Sequence, residues 1–190
     1  LAFTGGTIDK LESIAGFQSK QSLKKFKSLT IKNNCAIICQ SDEICPADQE
    51  IYRLRDLTAT IPSLPLITSS IMSKKISEGI NTLVLDIKIG NGAFMKTLEE
   101  GQALAKMMKE TGNEFNLKTD FIFSSMDQPL GRYAGLACEI NESIDTLSGN
   151  GPEDLIELTL KLGSKILIRS GIASSLKDAL TLQESVIKDG

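Results

Sequence analysis

The sequence contains no histidine and no tryptophan among its 190 residues, and only two tyrosines. Without histidine, the chain lacks the most common general base at neutral pH and the most common zinc ligand. The shortage of aromatic rings leaves few platforms on which single-stranded nucleic acid could stack. No apolar run approaches the roughly 20 residues that a membrane-spanning helix requires. We therefore expect no nucleic-acid partner and no membrane partner.

The charge and the cysteine content exclude further classes of protein. The 21 Lys and Arg residues against 24 Asp and Glu give a formal net charge of -3, which argues against non-specific binding to duplex nucleic acid. Four cysteines, at 35, 39, 45 and 138, are too few for a disulfide scaffold and lack the paired spacing of a zinc site. We expect small, buried thiols in a reducing cytoplasm, with Cys35 and Cys39 on one face of a strand over Cys35–Gln40.

Predicted strands and helices alternate along the chain, which favours an α/β fold with a mostly parallel sheet flanked by helices. The run TLVLDIKI, Thr82–Ile89, alternates apolar residues on one face, and a second strand is predicted over Thr119–Ser124. Pro65 suits the first turn of a helix, and Gly79 suits the position just beyond its end. Further helices are predicted over Thr7–Ile14, Ser19–Lys32 and Ala47–Ile61, after a capping box at Thr97 and Glu100, after Pro152, and over Ser175–Asp189.

The helix that begins near Pro65 mixes polar and apolar side chains on one face. At 100° per residue, Ser70 and Lys74 fall in the same arc as Leu66, Ile67 and Ile71. A buried ammonium is unfavourable unless a partner or ligand meets it. Lys74 either reaches water or a structural carboxylate, or forms part of a pocket for an anionic or carbonyl-bearing ligand; the periodicity alone leaves both open.

Two other segments combine glycine with polar residues. Thr4-Gly5-Gly6-Thr7 opens a helix, where free backbone N–H groups attract anions, although many helices begin this way without binding phosphate. Asp86 and Lys88 share a face at the carboxyl end of a predicted strand, before the turn Gly90-Asn91-Gly92. Ligands of α/β sheets gather at such ends, but an Asp–Lys ion pair that closes the sheet edge explains these residues equally well.

These segments and their order closely resemble the thymidine and pyrimidine-nucleoside phosphorylase family. The resemblance is carried by TGGTIDKLESIAGF, RDLTATIPSLPLITSSIMSKK and LDIKIGNGAFM, and continues through MDQPLGRYAGLACEINESIDTL and GNGPEDLIELTLKLG, over essentially the whole chain. It is nearer to the broad-specificity pyrimidine branch. It implies a glycosyltransferase, more narrowly a pentosyltransferase of pyrimidine salvage, that cleaves thymidine, uridine or deoxyuridine with phosphate to free base and pentose 1-phosphate.

The resemblance also implies roles for individual residues. Arg55 and Lys74 would be catalytic and would bind the carbonyl oxygens of the base, with Ser70 at its ring N–H edge. Phe94 would form an apolar wall beside the base, and Thr7 would contact phosphate. The positions that match the family's potassium ligands, in part backbone carbonyls, are Leu130, Tyr133 and Glu142.

The resemblance further implies no organic cofactor, phosphate as a co-substrate, and a cytoplasmic homodimer. It assigns residues 47–77 to a small all-helical lobe and residues 1–46 and 78–190 to the α/β domain, with both parts incomplete at the ends. The family's main phosphate loop, Lys-His-Ser-Thr-Gly-Gly, does not occur in these 190 residues, and Ala2-Phe3 stands where the family usually has Gly-His. We therefore expect a central portion of the enzyme with little or no turnover alone.

Two alternatives stay open at this point. The chain could be a non-catalytic fragment or a degenerate binding module, because the phosphate loop is absent. It could also be an anthranilate-type phosphoribosyltransferase, which shares the fold by analogy but should lack the set Arg55, Ser70 and Lys74.

Overall fold

The computed structural model describes residues 6–39, 43 and 45–189, with the backbone alone for residue 56. Within these residues the chain forms eight helices and two strands. In chain order the elements are α1 (Thr7–Leu11), α2 (Leu23–Asn33), α3 (Pro46–Leu57), α4 (Leu64–Ser77), β1 (Thr82–Ile89), α5 (Leu98–Glu114), β2 (Lys118–Ser125), α6 (Leu136–Leu147), α7 (Glu153–Arg169) and α8 (Leu176–Asp189).

The two strands form a parallel pair, in register from Thr82 opposite Lys118 to Ile89 opposite Ser125. Parallel neighbours need a crossover connection, and α5 supplies it between β1 and β2. Helix α5 packs on both strands, and α7 also contacts both. The predicted α/β class with a parallel sheet flanked by helices is therefore confirmed.

The core lies where α4 and α5 pack together against the sheet. Its buried members include Met72 from α4 and Met108 from α5, which are fully buried, with Leu83 and Ile87 from β1. Gly101 allows the close approach of α5, because a Cβ at this position would collide with the side chain of Ile89. Since α4 contributes Met72 to this core, the middle of the helix is tied to the sheet.

The structure confirms the predicted bounds of α4. Pro65 lies in its first turn after the N-cap residue Ser63, and Gly79 follows its end with φ of +69°. Left-handed backbone of this kind is accessible to glycine at little cost, which explains why the helix stops there. The assignment of residues 47–77 to a separate lobe stays a prediction.

The predicted strand over Cys35–Gln40 is wrong for the residues that the structure describes. Residues 35–39 form no strand, and Gln40 lies outside the described residues. A strand requires a neighbour for its backbone hydrogen bonds. In the described part of the chain, the recorded backbone bond of this segment is Cys39 N–H to the Ser19 carbonyl, at 2.9 Å. A ladder of such bonds is therefore absent from the described structure.

The expectation of buried thiols is also wrong in part. All four cysteines are free, but Cys35 and Cys138 are exposed and Cys39 and Cys45 are half-buried. Without a strand to turn it inward, the Cys35 side chain faces solvent.

The capping box at Thr97 is half-formed, because the Thr97 hydroxyl accepts from Glu100 N–H while the Glu100 carboxylate accepts from Lys96 N–H instead. None of the helices in the described part of the chain has the length and apolar character needed to cross a membrane.

Met108→Ala should destabilise the chain by about 2–5 kcal/mol, because Met108 is fully buried between α5 and the sheet and its truncation leaves a cavity. The measurement is urea denaturation of the purified protein. Gln102→Ala, an exposed substitution on the same helix, is the control and should leave the midpoint nearly unchanged. Equal midpoints for Met108→Ala and the control would contradict the described core.

Candidate functional site

Helix α4 presents a polar pair within an apolar stripe. Ile67, Ser70, Ile71 and Lys74 follow the spacing that places side chains on one face of a helix. Ser70 is buried, and the Lys74 ammonium donates a hydrogen bond to its hydroxyl oxygen at 3.0 Å. The hydroxyl and the ammonium, one helical turn apart, are therefore held next to each other in the folded chain.

Helix α3 packs against α4 and adds the complementary groups. Asp48, Tyr52 and Arg55 lie four and three residues apart, so they share the face of α3 that meets α4. The Asp48 carboxylate, with only 7% of its side chain exposed, lies 2.5 Å from the Lys74 ammonium. Lys74 therefore has a carboxylate partner, which is one of the two outcomes that the sequence left open.

Both cations lie against the Tyr52 ring. The guanidinium carbon of Arg55 is 5.5 Å from the ring centre, and the Lys74 ammonium is 6.0 Å from it. Cations at such distances are attracted to the negative face of an aromatic ring. The structure thus brings together Arg55, Ser70 and Lys74, the three residues predicted to bind a base. Because Asp48 lies on the same face of α3 as Arg55, the ion pair and the guanidinium belong to one cluster, and binding of a base by that cluster stays a prediction.

The Arg55 guanidinium has an N–H donor without an acceptor among the described residues. Arg55 is 6% exposed, and one terminal N–H₂ group donates to the Ile61 carbonyl. Its Nε–H group is buried and has no hydrogen-bond partner among the described residues. A buried donor without an acceptor costs roughly 1–3 kcal/mol. A ligand with an acceptor oxygen or nitrogen at this point would remove that cost.

An apolar cavity of about 250 Å³ lies beside this site, between α4 and the turn after β1. Ile67 and Ile71 line it from the same face of α4 that carries Ser70 and Lys74, and Phe94 lines it from the turn. Phe94 is 58% exposed, so it stands at the rim. Arg55, Ser70 and Lys74 are not among the residues that line the cavity. The predicted apolar wall therefore lines the cavity without the three predicted polar residues, and the role of Phe94 stays a prediction.

The Asp86–Lys88 pair forms a closed arrangement. The Lys88 ammonium lies 2.5 Å from Asp86 and donates to the Ser124 hydroxyl at 3.0 Å, and that hydroxyl donates to Asp86 at 2.5 Å. The ammonium, the carboxylate and the hydroxyl each contact the other two groups. The structure therefore supports the simpler interpretation, in which an ion pair closes the carboxyl edge of the two strands.

Thr7 is exposed at the first residue of α1, while Thr4 and Gly5 of the glycine-rich turn lie outside the described residues. The neighbouring Gly6 N–H donates to the Asp9 carboxylate at 2.7 Å. This helix start thus already has an anionic acceptor of its own. The phosphate contact predicted for Thr7 stays a prediction.

The three predicted potassium positions lie close to one loop: Leu130 and Tyr133 are in the loop between β2 and α6, and Glu142 is on α6. Glu142 is buried and accepts a hydrogen bond from Arg132 N–H at 2.9 Å, while Leu130 and Tyr133 flank the turn at Gly131, whose φ is +78°. A carboxylate with nearby backbone carbonyls is an all-oxygen donor set, which suits a hard cation. Among the described residues no group of three or more His, Cys, Asp or Glu side chains is arranged to hold a metal ion, and this finding does not address carbonyl ligands.

A second carboxylate holds the same loop from α7. Asp154 accepts from Gly131 N–H at 3.0 Å and from Leu155 N–H at 2.8 Å. The bond from Gly131 is the main cause that lowers the pKa of the Asp154 carboxyl below its ordinary value. The loop is therefore fastened to α6 through Glu142 and to α7 through Asp154.

The comparisons with known proteins assign this α/β fold to a family. The chain belongs to the glycosyl transferase family, a/b domain, which matches residues 1–190. It is 52% identical over 190 residues to the pyrimidine-nucleoside phosphorylases of Staphylococcus haemolyticus and Geobacillus stearothermophilus, and 50% identical to that of Staphylococcus epidermidis. All of this chain is covered in each case, but it spans only 44% of the length of these relatives. The resemblance inferred from the motifs is confirmed.

Sequence reasoning missed Asp48 and Tyr52, which complete the site from α3. The signal was present, because positions 48, 52 and 55 have the same one-face spacing that singled out Ser70 and Lys74 on α4. Applying that spacing to the preceding helix would have found both.

The Asp154 carboxyl should titrate below its ordinary pKa in the folded chain, because backbone N–H groups bind its charged form. Its contribution to holding the loop is then present above the ordinary pKa and is lost as the pH falls through the lowered folded value. Carboxyl-carbon NMR across the acid range measures this titration, and the Gly131 amide proton should shift with the same midpoint.

Asp154→Ala is the matched control, in which the acid-range shift of the Gly131 amide should disappear. A carboxyl that titrates at or above its ordinary pKa would contradict the contact between Asp154 and the loop.

Proposed function

We propose that the chain is the base-binding portion of a pyrimidine-nucleoside phosphorylase. In the proposed reaction, phosphate attacks the anomeric carbon of thymidine, uridine or deoxyuridine, releasing the free base and pentose 1-phosphate. The names of the relatives support this reaction. The single structural observation that carries it is the convergence of Arg55 and Lys74 on one ring with Ser70 beside them.

The charge at this site suits the chemistry of a departing base. Cleavage of the glycosidic bond leaves negative charge on the pyrimidine while the sugar becomes positively charged. Donors placed in advance at the base oxygens stabilise that charge more than they stabilise the neutral substrate, and this difference accelerates a reaction. In this role Arg55 would use its unpartnered Nε–H side, and Lys74 would turn one ammonium proton towards the second oxygen.

Ser70 and the apolar cavity would supply orientation. The Ser70 hydroxyl can donate to or accept from the ring N–H edge of a pyrimidine. The cavity lined by Ile67, Ile71 and Phe94 would take the apolar part of the ring. Thr7 would contact the phosphate co-substrate, although the structure gives that contact less support, since Asp9 already accepts from the adjacent N–H.

The remaining features are proposed for the full-length enzyme. It would use phosphate as co-substrate and no organic cofactor, with potassium held at the loop of Leu130, Tyr133 and Glu142. It would act as a cytoplasmic homodimer, and the free cysteines are compatible with a reducing compartment. Residues 47–77 would belong to a helical lobe that faces the α/β domain. Turnover is proposed for a polypeptide with the length of the relatives, since the family's main phosphate-loop motif does not occur in these 190 residues.

Lys74→Ala in the full-length protein should lower kcat/KM for uridine or thymidine phosphorolysis by roughly 30- to 1000-fold, because a charged contact to a buried ligand is lost. The measurement is phosphate-dependent release of the free base. Lys75→Ala is the matched control, since Lys75 is the adjacent lysine and pairs with Glu78 on the helix surface. Equal activity of both variants would remove Lys74 from the base site.

A crystal soaked with uracil or thymine should show the ring edge within hydrogen-bond distance of Arg55, Ser70 and Lys74. The reason is that these side chains present donors from two helices towards one point. A ring bound elsewhere would contradict the proposed site, even in an enzyme that cleaves pyrimidine nucleosides.

A further inference from the structure

Asp48 is a buried carboxylate that faces a cation. Its side chain is 7% exposed, and among the described residues it accepts a hydrogen bond from the Lys74 ammonium. A carboxylate withdrawn from water is unfavourable unless an opposite charge and hydrogen bonds compensate it. Asp48 lies in the first turn of α3, where the helix N-terminus favours negative charge, and the Lys74 ammonium is the opposite charge that faces it.

Lys74 needs an external constraint to keep its ammonium in place. Its side chain is 29% exposed and ends a flexible four-carbon stem, so rotamer freedom would otherwise spread the charge over several positions. Ser70 fixes it from the same helix, one turn away, and Asp48 fixes it from the facing helix. These two contacts, made from different helices, restrict the ammonium to one position, and the contact with Ser70 alone would not do so.

The same carboxylate reduces repulsion between the two cations of the site. Arg55 and Lys74 approach the one Tyr52 ring, so their like charges oppose each other in partly dehydrated surroundings. With Asp48 the three side chains sum to one positive charge, which matches the single negative charge of a departing pyrimidine. Without Asp48, Lys74 would turn towards solvent and away from Arg55.

We propose that Asp48 is a positioning residue that holds the Lys74 ammonium at the edge of the departing base. This inference rests on the proposed function. Asp48 touches neither substrate nor reacting atoms and acts through Lys74. Its contribution is therefore expected in kcat and not in KM, since the neutral ground state gains less than the anionic leaving group from a correctly placed cation.

The test uses the full-length enzyme with Asp48→Asn, which keeps the size of the side chain and removes its charge. We expect kcat to fall about 10- to 100-fold with KM changed less than about threefold, and Asp48→Glu to recover part of the loss. Glu50→Gln is the matched control, because Glu50 is an exposed acid on α3 that pairs with Arg53. Thermal melts of all variants separate this effect from loss of folding.

Two further measurements separate positioning from a structural role. In a Lys74→Ala background, Asp48→Asn should change kcat less than about twofold, because the group it acts through is gone. In the single variant, 5-fluorouridine should lose less activity than uridine, since its more acidic base needs less stabilisation as it leaves. A purely structural defect would lower both substrates alike.

Each outcome is decisive. Additive losses in the double variant, an effect confined to KM, or full activity of Asp48→Asn would overturn the positioning role while the proposed function stands. A folded full-length wild type without phosphorolysis of any pyrimidine nucleoside would overturn the proposed function, and the positioning role with it. Loss of folding in Asp48→Asn, with wild-type kcat in a folded Asp48→Ala variant, would also overturn the positioning role.

Discussion

The ion pair between Asp48 and Lys74 is the interaction on which the candidate site depends. It joins α3 to α4 at the point where the other functional groups of both helices meet. Because the Lys74 ammonium also donates to the Ser70 hydroxyl, the ion pair fixes the position of that hydroxyl. Arg55 lies two turns after Asp48 on α3, so the ion pair also fixes where the guanidinium lies along α4. A single charged contact between helices thereby determines the relative placement of groups that are 15 to 26 residues apart in the chain.

The support beneath this contact is apolar. Met72 anchors α4 in the core formed by β1 and α5, so the face that carries Ser70 and Lys74 is held against a packed layer. The closed group of Asp86, Lys88 and Ser124 joins the two strands, and Asp86 and Lys88 also line the cavity. Charged groups at the carboxyl ends of strands are often sites of chemistry, but here they satisfy each other, whereas the Arg55 Nε–H has no hydrogen-bond partner among the described residues.

Much of the fold could be predicted from the sequence where the signal is local. The alternation in Thr82–Ile89, and the proline and glycine at the ends of α4, specify those elements without help from distant residues. The strand over residues 35–40 could not be predicted reliably, since an apolar run becomes a strand only with a neighbouring strand to pair with. Helix α6 was not predicted, and its exposed Ile144 and Leu147 lie outside the described core. For the site, periodicity found Ser70 and Lys74 but could not decide what meets the cation, because that partner comes from another helix.

The buried Nε–H of Arg55 has a consequence for selectivity. Its hydrogen-bonding deficit is already present in the free chain, because the donor is buried and has no acceptor among the described residues. An occupant with an acceptor at this point would remove that deficit, whereas one with a hydrocarbon edge would leave it as it is. Discrimination between flat rings of similar size would then arise from the stabilisation that only the acceptor-bearing ring gains.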